Sequence, residues 1–189
     1  MSALNPAHVR DMNQTITPSG DPRAEDGARW YAVRTRSRFE ATTSASFRDK
    51  GFTAFLPTYL SRRQWSDRVK ELRLPLFPGY VFCRFDASDQ YRVLNCPGVV
   101  HIVSAGDTPT PVEDVEIEAV RRICESPLAA APWLDPIAGQ RVIIVRGPLR
   151  GIEGTFVRMK DQCRLIVSIS LLKRSVSTEL NLAWVTGVC

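Results

Sequence analysis

The chain has 189 residues, 44% of them hydrophobic and 24% charged, with a formal net charge of +5. That composition suits one or two small domains with real cores, and no apolar run approaches the ~20 residues of a membrane span. Five scattered cysteines without a C-x-x-C pair argue against a disulfide framework and a zinc site, and no basic-then-apolar leader stands at the N-terminus, so a cytoplasmic protein without metal or other cofactor is expected.

Residues 1–28 are polar, rich in Pro, Gly, Asp and Asn, and without periodicity, which predicts a disordered leader. Arg29–Thr35 reads as a first strand. Ser37-Arg38-Phe39-Glu40 fits a capping box, opening a helix that carries Phe39, Thr43 and Phe47 on one face and stops at Gly51. Phe52–Gln64, broken by Pro57, and Val69–Leu74 form a long hairpin with Arg62, Arg63, Arg68, Lys70 and Arg73 along it.

Pro75-Leu76-Phe77-Pro78-Gly79-Tyr80-Val81-Phe82 runs through a Pro-Gly bend into an aromatic strand. Tyr80, Phe82 and Arg84 point to one side, and Val81, Cys83 and Phe85 to the other. Two readings fit the aromatic side. It is core, as on a strand covered on both faces, or a partner-binding surface of the kind that aromatics and Arg anchor.

Asp86–Leu94 is a short helix candidate, Asn95–Gly98 a turn, and Val99–Val103 a strand. Thr110-Pro111-Val112-Glu113 looks like a second capping box, with a helix presenting Val112, Val115, Ala119, Val120 and Ile123. Three prolines and an Ala run over 127–136 place the interdomain linker there. Residues 137–189 then show short β-rich runs, Arg141–Arg146, Gly154–Arg158, Cys163–Ile169 and Val176–Leu180, which predict a small β-barrel.

Charge is uneven along the chain. Residues 29–73 hold 11 Lys/Arg against 4 Asp/Glu, 74–139 hold 4 against 9, and 140–189 hold 8 against 3. Two basic blocks around an acidic one suit contact with a polyanion, or ordinary solvated charge. No catalytic set appears: His8 and His101 lie far apart, and no Ser, Cys or acidic residue has the spacing of a nucleophile-base pair.

Gly139–Gly154 is a strand entering a Gly-Pro loop, with Gly151 and Gly154 straddling the next turn. In residue pattern it resembles a KOW motif with Gly151 as the central glycine. Leu171–Leu180 and Trp184-Val185 look like the end of such a domain, with Lys173-Arg174 where that family usually has Gly-Arg. The earlier part resembles the NusG N-terminal domain through Trp30–Val33, the motif Pro75–Phe82 and Pro97–Val100. The four motifs occur in the family's order over about residues 29–186. The basic hairpin and Leu171–Val176 look closer to specialised RfaH-like paralogues.

The resemblance implies an α+β fold, with an antiparallel sheet flanked by helices over 29–126, a linker over 127–136, and an SH3-like KOW barrel over 137–189. It implies a non-enzymatic, monomeric regulator of transcription elongation that suppresses pausing and acts as an operon-specific antiterminator. Its apolar patch would bind the clamp helices of the RNA polymerase β′ subunit. Phe77, Pro78, Tyr80 and Phe82 are the carried-over contacts, with Tyr31 and Ile102 from neighbouring strands. Arg34, Arg36, Arg38, Arg62 and Arg63 are candidates for non-template DNA. Arg34 lies where RfaH-like proteins have an aromatic. Ile169, Leu171, Leu172, Lys173 and Arg174 are candidates for recruiting a small-subunit ribosomal protein or Rho, although Ser170-Leu171-Leu172 replaces the family's Phe-Gly. The alternative is a ribosome-associated protein that binds RNA with its KOW domain. RfaH-like proteins can refold this domain as a helical hairpin that masks the apolar patch. Here consecutive β-branched Val142–Val145 and the glycines and proline of 147–154 predict a barrel without a fold switch. The exposed side of the aromatic strand is expected to be that of Tyr80 and Phe82, with Val81, Cys83 and Phe85 under the helices.

Overall fold

The computed structural model describes residues 27–65, 68–134, 139–159 and 162–187. The expected leader therefore lies outside the described residues apart from its last two positions, and so does the tip of the basic hairpin.

In chain order the elements are β1 (Arg29–Thr35), α1 (Glu40–Asp49), β2 (Thr53–Phe55), β3 (Thr58–Trp65), β4 (Arg68–Pro75), β5 (Tyr80–Phe85), α2 (Gln90–Leu94), β6 (Val99–Ile102), β7 (Ser104–Ala105), β8 (Thr108–Pro109), β9 (Pro111–Val112), α3 (Asp114–Glu125), β10 (Ala130–Trp133), β11 (Gln140–Ile144), β12 (Glu153–Met159), β13 (Gln162–Ile169), β14 (Arg174–Leu180) and β15 (Val185–Gly187). The first sheet has the order β2-β5-β1-β6, with β9 pairing β1 beside β6. All these pairings are antiparallel. The second sheet runs β10-β14-β13-β12-β11-β15, also antiparallel throughout. The basic hairpin β3-β4 stands as its own two-stranded ribbon.

Alternation along β1 and β5 divides the first sheet into two apolar faces. Tyr31 and Val33 of β1 and Val81, Cys83 and Phe85 of β5 point one way, and are buried with Phe47 of α1, Phe52, Val93 of α2 and Ile102. Trp30, Ala32 and Phe82 point the other way. Their cluster includes Ile117, Val120 and Ile123 of α3 and continues without a break into Val142, Ile144, Leu149, Ile152, Leu165, Val167, Ile169 and Val176 of the second sheet. The strand-rich C-terminal unit is therefore packed on the first one and shares a core with it.

Four expectations change at the element ends. Ser37 does not cap α1, because Arg38 takes a left-handed φ of 66° and the helix starts only at Glu40. Glu40 does not fold back onto its own helix. It is buried, and its Oε1 accepts the N–H of Gly79 at 2.8 Å, which ties α1 to the Pro-Gly bend. Thr110-Pro111 does not open α3 either. Pro111 and Val112 pair with Tyr31 and Trp30, supplying partners to a stretch of β1 that β6 does not reach, and Thr110 Oγ1 accepts the Ala105 N–H. Within α3 the spacing i, i+3, i+6 puts Ile117 on the buried face with Val120 and Ile123, and leaves Val115 75% exposed. Finally, the expected linker contains strand β10, which covers the edge of β14 from Ala130↔Thr178 to Trp133↔Ser175. Pro132 is tolerated there because β10 is an edge strand.

Candidate functional site

Gly79 has φ +81°, the left-handed region that glycine enters without steric cost. A Cβ there would stand 2.7 Å from Arg34 Nη1, so the bend also needs a bare backbone under that guanidinium. The bend sends β5 along β1 in the register Arg34↔Tyr80, Ala32↔Phe82 and Trp30↔Arg84. Phe82 then meets Phe77 edge-on at 5.5 Å and stacks with Phe55 of β2 at 6.2 Å. The Arg121 guanidinium of α3 lies over Trp30 and Phe55 at 5.7 and 5.3 Å.

Phe77 and Phe82 are almost wholly buried, at 1% and 0% exposure, while Tyr80 is half-buried and Pro78 exposed. The expectation of an exposed Tyr80/Phe82 side is thus corrected at Phe82, while Tyr80 is covered only in part. α3 and the C-terminal unit cover that side, and both belong to the same apolar cluster. The opposite side holds Val81, Cys83 and Phe85 with α1 and α2. Tyr31 and Ile102 do not join the aromatic group, because alternation puts them on the α1 face, 7% and 5% exposed. Tyr31 instead packs on Phe85 with ring centroids 4.4 Å apart.

On the other side of the seam stand the loop residues expected to recruit a partner. Ile169 is fully buried in the shared cluster, and Leu171 and Leu172 pack against it half-buried. Lys173 is exposed, with a left-handed φ of 49° where the family pattern has glycine. Arg174 donates to Pro78 O at 3.3 Å and lies 5.1 Å from the Tyr80 ring centroid. Two α3 side chains that sequence reasoning missed hold the same seam. Glu116 accepts the Ser170 hydroxyl at 2.6 Å and its N–H at 3.2 Å, and Arg122 donates to Pro148 O and Arg150 O. They sit among surface charges in the sequence, and only the docked loop singles them out.

Of the basic candidates, Arg34 is half-buried with its guanidinium carbon 4.8 Å from the Tyr80 centroid, while Arg36 and Arg38 are exposed. Arg62 and Arg63 lie on β3 opposite Glu71 and Lys70. Among the described residues no group of three or more His, Cys, Asp or Glu side chains stands close enough to hold a metal ion. The shifted thiols belong to the cores. Burial pushes Cys83 far above its ordinary range, with Cys96 adding to the effect, and lifts Cys124 to about 11.

Residues 28–121 match the family model described as transcription termination factor NusG. This stretch is a NusG-family domain. The likeness extends over most of the chain. NusG from Halalkalibacterium halodurans, named a transcription termination/antitermination protein, is 27% identical over 80% of this chain and 94% of its own length. The Thermus thermophilus protein of the same name is 25% identical over 82% and 96%. The solved structure titled "Domain interaction in Thermotoga maritima NusG" superposes with a TM-score of 0.50 at 23% identity, covering 86% of this chain and 98% of that one, and supports the fold. The relatives that this chain resembles over most of its length are thus NusG-type transcription factors and not enzymes.

Proposed function

We propose that this NusG-type factor regulates elongation by binding RNA polymerase at the β′ clamp helices through Phe77, Pro78, Tyr80 and Phe82, suppressing pausing as an operon-specific antiterminator. Arg34, Arg36, Arg38, Arg62 and Arg63 line the approach to non-template DNA. Ile169 and Leu171–Arg174 recruit a ribosomal protein or Rho. One observation carries the reading: the aromatic side of β5 is closed by a second unit whose own candidate recruiting loop lies in the same seam. An apolar surface of large aromatics suits a partner once that unit moves away, and a few such anchors supply most of an interface's energy. In the packed arrangement Phe77, Phe82 and Ile169 are covered, so the factor must open before these side chains bind a partner. Among the described residues no helix is long and apolar enough to cross a membrane.

The test is a binding assay with core polymerase and a transcription run over a terminator, using wild type, Tyr80→Ala and Leu172→Glu. Tyr80→Ala should weaken binding and read-through, whereas Leu172→Glu, which loosens the seam, should strengthen binding. If both variants behave as wild type, the aromatic side is core and nothing more.

A further inference from the structure

The chain that joins the two units has a short free stretch, tied down on both sides. On the α3 side, the Ser126 N–H donates to Arg122 O. Its hydroxyl donates to Ile123 O at 2.9 Å and accepts the Leu128 N–H at 3.3 Å. Leu128 then packs against the shared apolar cluster. From Ala130 the chain is already strand β10, paired with β14 as far as Trp133↔Ser175. Residues 126–129 alone therefore lie between α3 and a strand built into the C-terminal sheet. With β10 unpaired, the joining chain would run over residues 126–139.

Chain reach makes the difference large. At the extended limit, the shorter stretch lets the C-terminal unit move about 15 Å from α3, and the longer one about 50 Å. The local concentration of one unit at the other falls roughly as the −3/2 power of tether length, about sixfold between these two lengths. β10 is also weakly held. It is a four-residue strand at the edge of its sheet, its side chains are only half-buried, and Pro132 has no N–H to give. The indole N–H of Trp133 is buried without a hydrogen-bond partner among the described residues, which favours the form in which water reaches it. We propose that β10 is a clasp on the joining chain. Paired with β14, it keeps the C-terminal unit on the short tether and against the first sheet. Peeled from β14, it releases that unit on the long one. The clasp rests on the opening that the proposed function requires, and adds to it what sets the balance between packed and separated forms.

The experiment uses the full chain, labelled at exposed Asp49 in the first unit and exposed Arg158 in the second. The distance distribution between the labels is recorded along a urea series, which populates the separated form. A Gly/Ser insertion of about ten residues is placed on either side of β10, long enough to match the long tether. Between Ala129 and Ala130 it lengthens the tether while β10 stays paired, and the packed-to-separated ratio should fall about sixfold. Between Leu134 and Asp135 it lies beyond the clasp, and the ratio should stay at the wild-type value. Ala131→Pro takes a donor from the strand and crowds Pro132, so it should peel β10 and lower the ratio about sixfold by itself. In that variant the insertion after Leu134 should begin to act, lowering the ratio about twofold more. The clasp is wrong if the two insertions act equally in the otherwise unaltered chain, or if Ala131→Pro leaves the ratio unchanged. Either result, with a separated form present, removes the clasp and leaves the opening intact. Unfolding in one step, with no separated form at any urea concentration, would overturn the clasp and the opening together.

Discussion

The two faces of the first sheet are equally dry and differently built. The α1 face is closed by its neighbours in sequence, with Phe47, Phe52, Val93 and Ile102 over Tyr31, Val81, Cys83 and Phe85. The other face is closed by α3 and by a unit more than 50 residues further along the chain, and its rim is polar: Glu116 to Ser170, Arg122 to the loop carbonyls, Arg174 to Pro78. Burial alone does not distinguish a core from a covered interface. What distinguishes them is who supplies the cover, and whether charged hydrogen bonds that water can replace hold its edge.

The comparison can be broken or sharpened by substitution. The largest effect is expected from Phe47→Ala on the local face. Phe47 is fully buried, and its truncation should cost about 3–5 kcal/mol of unfolding free energy in a denaturant titration. Leu172→Glu at the seam should leave both units folded while separating them, reducing the packed population about tenfold or more in an interdomain distance measurement. A cooperative loss of all secondary structure would instead make the two faces one core. Glu40→Ala leaves the Gly79 N–H without its acceptor and should cost about 1–3 kcal/mol by the same titration.

Alkaline pH tests the cores through their thiols. Burial holds the Cys124 thiol up to about 11 from an ordinary 9.0, so the unfolded chain loses that proton first. Stability contributed by this group is intact below pH 9 and should decline between 9 and about 11, while alkylation of native Cys124 stays slow. The smallest effect is at Lys173. Replacing this left-handed residue by Gly relieves backbone strain, and should raise the melting temperature by the equivalent of at most about 1 kcal/mol.

Much of the fold was legible because local rules carried it. The alternation in Arg29–Thr35 and Tyr80–Phe85, the glycine stop after α1 and the short β runs after 137 all sit where periodicity and turn chemistry put them. Readings failed where a distant strand or side chain competed with a local motif. Glu40 left its capping box for Gly79, Pro111-Val112 left a helix start for the edge of β1, and Ala130–Trp133 left the linker for the edge of β14. Each satisfies backbone groups that no window of neighbouring residues reveals.

The candidate site divides in the same way. Alternation along β5 sufficed to sort Phe82 from Val81, and Tyr31 lay on the wrong side for the aromatic group by the same count. That Phe77 and Phe82 are covered, that Tyr80 lies near both Arg34 and Arg174, and that Glu116 and Arg122 hold the cover are tertiary facts. By itself the sequence determined which residues share a strand face, because the two-residue period is a property of the backbone. Only the tertiary structure decided what that face meets, because the surface that buries it comes from α3 and from a separate unit further along the chain, beyond the reach of any local pattern.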